Sequence, residues 1–241
     1  MMSIIIILLV TILNPAMAKA GVVIEQRITF NSPGEPGSVR KRTLMLQGDK
    51  ERFQIDDRMS IVIDADSRTV AVLDDLNKSV RELPLKRVIG TTRDPNYLLY
   101  MAFKSTDKTR ELLGFKCRDY TGTAYIGATI AVTTACFSTD AAGSDDFSHF
   151  MKSMVRDSGP PGRSISVPAG VPLIIESTLR VNPALASPDI PAQETVRFRN
   201  RISKMPPQVT RVVVTKITSE KLSPDKFSSP AGYTRHESEP D

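Results

Sequence analysis

Two cysteines, Cys117 and Cys136, and two histidines, His149 and His236, have the widest chemical repertoire in this 241-residue chain. An even number of cysteines can pair as a disulfide, hold a metal or form a redox couple. No C-x-x-C spacing occurs, and two histidines leave a metal short of ligands, so the last two readings are weakly supported. Residues 115–125 and 128–137 are rich in Thr, Tyr, Val and Ile and flank Ile126-Gly127, the pattern of a β-hairpin. A turn centred there sets Cys117 directly opposite Cys136, a separation that a disulfide can close.

Catalytic chemistry finds less support. A serine nucleophile needs a histidine base, and no G-x-S-x-G elbow accompanies either histidine. His149 falls on the polar side of a predicted helix and His236 in the polar tail. Asp145 and His149 are four apart and could share a metal, but a third ligand is lacking nearby. The paired carboxylates Asp56-Asp57, Asp64 with Asp66, and Asp74-Asp75 all sit in turn sequences, where Asp bonds the local backbone. No phosphate-binding glycine loop or dinucleotide fingerprint is present. The expectation is a non-enzyme with no catalytic residues, no metal and no cofactor.

The elements that must position these residues begin after a leader. Residues 3–13 read SIIIILLVTIL and are followed by Pro15 and Ala16-Met17-Ala18, too short for an ordinary membrane span and laid out like a secretory signal. No Lys or Arg precedes the run, so an uncleaved anchor is the alternative. The reading is a signal peptide over residues 1–20, cut after Ala18 or Ala20. Because no cysteine follows either site, the protein is expected to be periplasmic and not a lipoprotein. The 32 Lys plus Arg exceed the 27 Asp plus Glu, giving a formal charge of +5. A small excess permits peripheral contact with anionic membrane surfaces. Nucleic acid is not an expected partner, because no basic block is interleaved with aromatics.

From residue 21 to 83 the chain is a run of short strand patterns. Val22, Ile24, Ile28 and Phe30 share one parity against Glu25, Arg27 and Thr29. The next strands are predicted at 39–47, 51–56, 60–64, 69–73 and 78–83. Gly48-Asp49, Asp56-Asp57-Arg58, residues 65–68 and Asp75-Leu76-Asn77 separate them, as in an antiparallel meander. Later strands are expected at 171–181 and 209–220. Two helices interrupt the sheet. Asp94-Pro95 caps the first, over residues 96–104, which is apolar nearly all round. Ser144-Asp145-Asp146 starts the second, where Phe147, Phe150, Met151, Met154 and Val155 form one apolar stripe. Both helices need a large apolar surface, which a curved sheet supplies.

That stripe reads as ordinary core or, given methionine's adaptability, as the lining of a cavity for irregular apolar guests. Candidate lining residues are Tyr97, Tyr100, Phe103, Phe147, Phe150, Met151 and Met154. The proline-rich stretch 182–208 carries VRFRNRI, with Arg197, Arg199 and Arg201 on one parity. These arginines guard an edge strand or form a rim for anionic headgroups.

The order G-V-V-I-E-Q (21–26), V-L-D-D after a T-V strand (69–75), L-L-G-F-K-C-R-D-Y-T-G-T (112–123), A-C-F-S-T-D (135–140) and P-A-G-Y (230–233) resembles a family of exported bacterial proteins known only as a domain of unknown function. That family is similar to the LolA-like periplasmic lipoprotein-carrier fold. The resemblance spans most of residues 21–233. It implies a mainly β (α+β) domain, a curved antiparallel half-barrel with two or three helices in its concave face, here with an insertion at 182–208. The polar composition after Tyr233 adds the expectation of a flexible tail at 234–241. With the candidate lining residues, a half-barrel cavity of this kind leads to the expectation of a non-catalytic binding or carrier protein for a lipid or other amphiphile. The alternative is a structural or assembly factor of the cell envelope that works through protein-protein contacts.

Overall fold

A computed structural model describes residues 20–31, 37–87, 101–126, 129–155, 167–181 and 206–236. The leader, Tyr97, Tyr100, Arg197, Arg199 and Arg201 lie outside the described residues. Alternating apolar and polar residues build β1 (Gly21–Asn31), β2 (Ser38–Gln47), β3 (Lys50–Ile55), β4 (Met59–Asp64), β5 (Thr69–Asp74) and β6 (Ser79–Pro84). These six form the expected meander, with strand ends within about one residue of the sequence reading. Then follow β7 (Lys104–Leu112), β8 (Phe115–Ile126), β9 (Thr129–Ser138), α1 (Ser144–Val155), β10 (Val171–Val181), β11 (Gln208–Glu220) and β12 (Thr234–His236). All twelve strands join one open sheet in the order β12-β6-β5-β4-β3-β2-β1-β11-β10-β9-β8-β7. The sheet is antiparallel except at β12, which runs parallel to β6.

Turn chemistry sets the register of the meander. Asp64 Oδ1 accepts the N–H groups of Asp66 and Ser67 at 3.1 Å each, and Asp74 Oδ1 accepts those of Leu76 and Asn77 at 3.1 and 2.9 Å. The same aspartate device thus closes both the β4–β5 and the β5–β6 turns. In β10 the alternation breaks at Pro172, which offers no N–H to the ladder. A bulge there leaves Leu173 unpaired between Pro172, opposite Phe137, and Ile174, opposite Cys136.

The concave face holds the main core. Val22, Ile24, Leu44, Leu46, Phe53, Ile63 and Val70 from one half meet Ala131, Ala135, Phe137, Ile175 and Val212 from the other, under α1. The convex face of the meander is apolar too, because β4 and β5 carry apolar residues at both parities. Val62, Leu73 and Val80 are covered there by Leu222, Phe227 and Tyr233 of the C-terminal segment.

Several expectations require correction. Among the described residues there is one α-helix instead of two or three. Residues 101–103 are not helical, and Lys104 opens β7 by pairing with Thr121. Met101 and Phe103 lie against β8 where Gly122 has no side chain; a Cβ there would stand 3.0 Å from the Phe103 ring and 3.2 Å from Met101 Cβ. The β8–β9 turn is centred one residue later than expected, since Ile126 faces Thr129. Cys136 therefore faces Asp119 and bridges diagonally to Cys117, at 5.4 Å between Cα atoms. Moving the turn centre by one residue shifts the cross-strand register by two, so both cysteines stay on one face and the disulfide forms nonetheless. Thr234–His236, expected in the flexible tail, pair with Ser79–Arg81 as a strand. Phe30 shares the buried parity of β1 but is 38% exposed, at the end of the strand beyond the cover of the core.

Candidate functional site

The apolar stripe of α1 is packed core. Phe147, Phe150, Met151 and Met154 are all buried between the helix and the sheet, and Phe103 is half-buried, edge-on to Phe137 at 5.6 Å. Ser144 starts the helix by giving its hydroxyl to the carbonyl of Ser138 at 3.0 Å. At the other end Asp49, in the β2–β3 turn, accepts both Ser153 Oγ at 2.6 Å and His149 Nε2 at 3.1 Å on one oxygen. His149 is thus engaged by Asp49, and its four-apart neighbour Asp145 is exposed at the helix start. Among the described residues no three His, Cys, Asp or Glu side chains gather as metal ligands. Of the turn carboxylates, Asp64 and Asp74 bond local amides as read, whereas Asp75 accepts the distant hydroxyls Ser60 Oγ and Tyr233 Oη at 2.8 Å each.

Beyond the helix the concave face continues over β4, β5 and β6 as a cavity of about 610 Å³. Its apolar lining is Met59, Ile61, Val70, Val72 and Leu83, and its polar lining is Asp74, Ser79, Arg81 and His236. The cross-strand register explains the grouping. Met59 faces Asp74, which faces Ser79; Ile61 faces Val72, which faces Arg81; and Arg81 neighbours His236 of β12. Two of these rows therefore end in polar groups at the β6–β12 edge. Val70 belongs to both the cavity and the main core, so the cavity floor is continuous with packed protein.

The charges in this lining are held differently. Asp74 is tied into its turn: Asn77's backbone N–H and then its carboxamide hold the carboxyl below the usual range, against an opposing effect of burial. Arg81 is exposed, and among the described residues no carboxylate lies within ion-pair distance of it. On the opposite face of the same edge Arg235 does find a partner, Glu82, at 3.5 Å. A second basic and aromatic group lies toward β1 and β2 on the concave side. There Arg40 stands 5.9 Å over the Phe30 ring, and Arg42 stands 5.6 Å over Phe53 while giving Nε to Gln26 at 2.6 Å.

The cavity lining was not singled out from the sequence, although a cue was present. Strands β4 and β5 are apolar at both parities, so each face needs a cover; the C-terminal segment covers one, and the helix only part of the other.

No known protein family and no curated protein matches the chain. Solved structures similar to it include two of PNGF-II, each at 11% identity and TM-score 0.44, covering 91% of this chain. The chain spans about a third of the length of those proteins, 31% in one and 32% in the other. Also similar are a LolA superfamily protein of Nitrosomonas europaea, at 7% identity and TM-score 0.35, and a DUF1329 family protein of Desulfovibrio piger, at 8% and 0.36. Each of these two comparisons covers 88% of this chain and 91% of the other.

Proposed function

We propose that this is a non-catalytic carrier or binding protein of the bacterial periplasm, whose ligand is an amphiphile held on the concave face. The observation that carries the reading is the apolar cavity over β4–β6, open beside a packed core and polar at one end. An apolar cavity of about 150 Å³ takes one benzene. By that scale 610 Å³ has room for roughly 24 heavy atoms, which suits a single acyl chain with a small headgroup better than a two-chain lipid. Affinity would come from burial at about 0.8 kcal/mol per methylene. Export to the periplasm accords with the leader sequence, and the Cys117–Cys136 disulfide is consistent with an oxidising compartment.

The test is fluorescence binding of N-phenyl-1-naphthylamine, a neutral apolar fluorophore, to detergent-free protein. The parent should bind it, and Val72→Asp, which places a charge on the half-buried cavity floor, should abolish binding while the circular dichroism spectrum is kept. If the fluorophore fails to bind the parent, the carrier reading fails. A stoichiometric protein partner found by native mass spectrometry would then favour an assembly factor of the cell envelope.

A further inference from the structure

Resting on that reading, we infer that the β6–β12 edge is a headgroup site for an anionic single-chain amphiphile, with Arg81 as the group that binds the anion and Ser79 and His236 beside it. Arg81 stands on the lining of an apolar cavity, yet among the described residues it has no carboxylate partner. Asp74 is the carboxylate that shares the lining, and its oxygens are already committed. Oδ1 accepts two backbone N–H groups and Oδ2 accepts Asn77 Nδ2 at 2.7 Å. Asp74 stays ionised but is held by the donors of its own turn, and among the described residues no ion pair joins it or any other carboxylate to the guanidinium.

Register places the other donors. Ser79 lies two residues from Arg81 on the same strand and so faces the same side, and His236 is Arg81's partner across the parallel pair. A neighbouring strand is about 4.8 Å away, so one headgroup can reach all three side chains. The apolar residues Val72 and Ile61 continue the Arg81 row inward, and Leu83 and Val70 form the next. An acyl chain lying along these rows would bring its anionic end to Arg81. A guanidinium donates to a carboxylate or phosphate through two parallel N–H bonds, and such charge-assisted bonds are stronger than neutral ones. A cationic head would be repelled by Arg81, and a neutral one would form no charge-assisted bond with it.

The experiment displaces N-phenyl-1-naphthylamine with one dodecyl chain carrying different heads, each below its micelle threshold: dodecanoate, dodecyl phosphate, dodecylphosphocholine, dodecyl maltoside and dodecyltrimethylammonium. For the parent the two anions should displace at about tenfold lower concentration than the others. Arg81→Gln should erase that preference while leaving displacement by the maltoside within about twofold. Arg235→Gln, on the other face of the same edge, should change nothing. Should Arg81→Gln fail to fold, the parent alone decides, because the anion preference must shrink as salt rises. The inference is overturned if anions hold no advantage, if dodecylphosphocholine equals dodecyl phosphate, or if the preference survives Arg81→Gln or is independent of salt. A fluorophore displaced equally by every head sinks this inference alone; a parent that binds neither fluorophore nor any dodecyl compound sinks the carrier reading with it.

Discussion

Reducing the Cys117–Cys136 bridge, which ties two adjacent strands across 19 positions, should loosen the protein by a calculable amount. Cross-linking a loop of that length removes an entropy of about 11 cal/mol/K from the unfolded chain, or about 3.2 kcal/mol at 25 °C. For a domain of 150–250 residues each kcal/mol moves the melting midpoint by about 2–4 °C, so reduction should lower it by roughly 7–13 °C. The measurement is a pair of melts followed by circular dichroism, with and without a thiol reductant, on otherwise identical protein. The reduced parent keeps both sulfurs in place, whereas Cys117→Ala with Cys136→Ala would also leave small voids, since both side chains are buried. Thiol titration of unfolded, unreduced protein should find no free thiol. A midpoint shift under about 2 °C would refute the entropy argument, and two titratable thiols would refute the bridge itself.

Two further outcomes follow from backbone and edge geometry. A Cβ at Gly170, where φ is +98°, would stand 2.1 Å from the carbonyl oxygen of Ser138. Gly170→Ala should therefore cost about 3 kcal/mol or more, against about 1–2 kcal/mol for Gly48→Ala, which has open space around it; equal losses in urea unfolding would contradict the packing argument. Tyr233's hydrogen bond to Asp75, and then burial, raise its pKa above the usual value of 10.0. The folded state thus holds the phenol proton more tightly than the unfolded state does. That stabilisation is fully present below pH 10 and lost as pH rises through the higher folded value. Denaturation midpoints from about pH 8 to 12 should fall more steeply for the parent than for Tyr233→Phe, and parallel slopes would count against a stabilising Tyr233–Asp75 hydrogen bond.

Much of the sheet was legible from the sequence because each meander strand carries its own alternation and each turn its own Asp or Gly. The helix at Ser144 was legible for the same reason: cap, acidic first turn and apolar stripe all lie within twelve residues. What escaped depends on distant partners. Strand β7 reads KSTDKTREL and has almost no apolar alternation, since it is a charged edge with a neighbour on one side only. Strand β12 has three exposed residues and exists because β6 offers it an edge. The same distance hid the purpose of two family-like motifs. V-L-D-D and P-A-G-Y lie far apart in the chain, but Asp75 of the first accepts the hydroxyl of Tyr233 of the second. Residue types flagged the α1 stripe as a candidate lining; the fold spent those residues on packing and placed the open cavity where three strands share a parity.

The pairing of β12 with β6 imposes an order in time. A chain that leaves the ribosome or crosses a membrane from its N-terminus completes β1–β6 early, as a meander with short loops and local contacts. At that stage β1 still lacks β11, whose Lys216 pairs with Glu25 from 191 positions away. The convex face still lacks Leu222 and Phe227, and the β6 edge is bare. The closing contact joins Asp75 to Tyr233, 158 positions apart, so it cannot form until almost the whole chain has emerged. Throughout that interval the half-finished sheet presents unpaired edges and an apolar face to other chains, the condition under which partly folded proteins aggregate. A chain that stops before Leu222 remains there: its meander is complete, its outer face is uncovered, and the edge that β12 should occupy is open to another molecule.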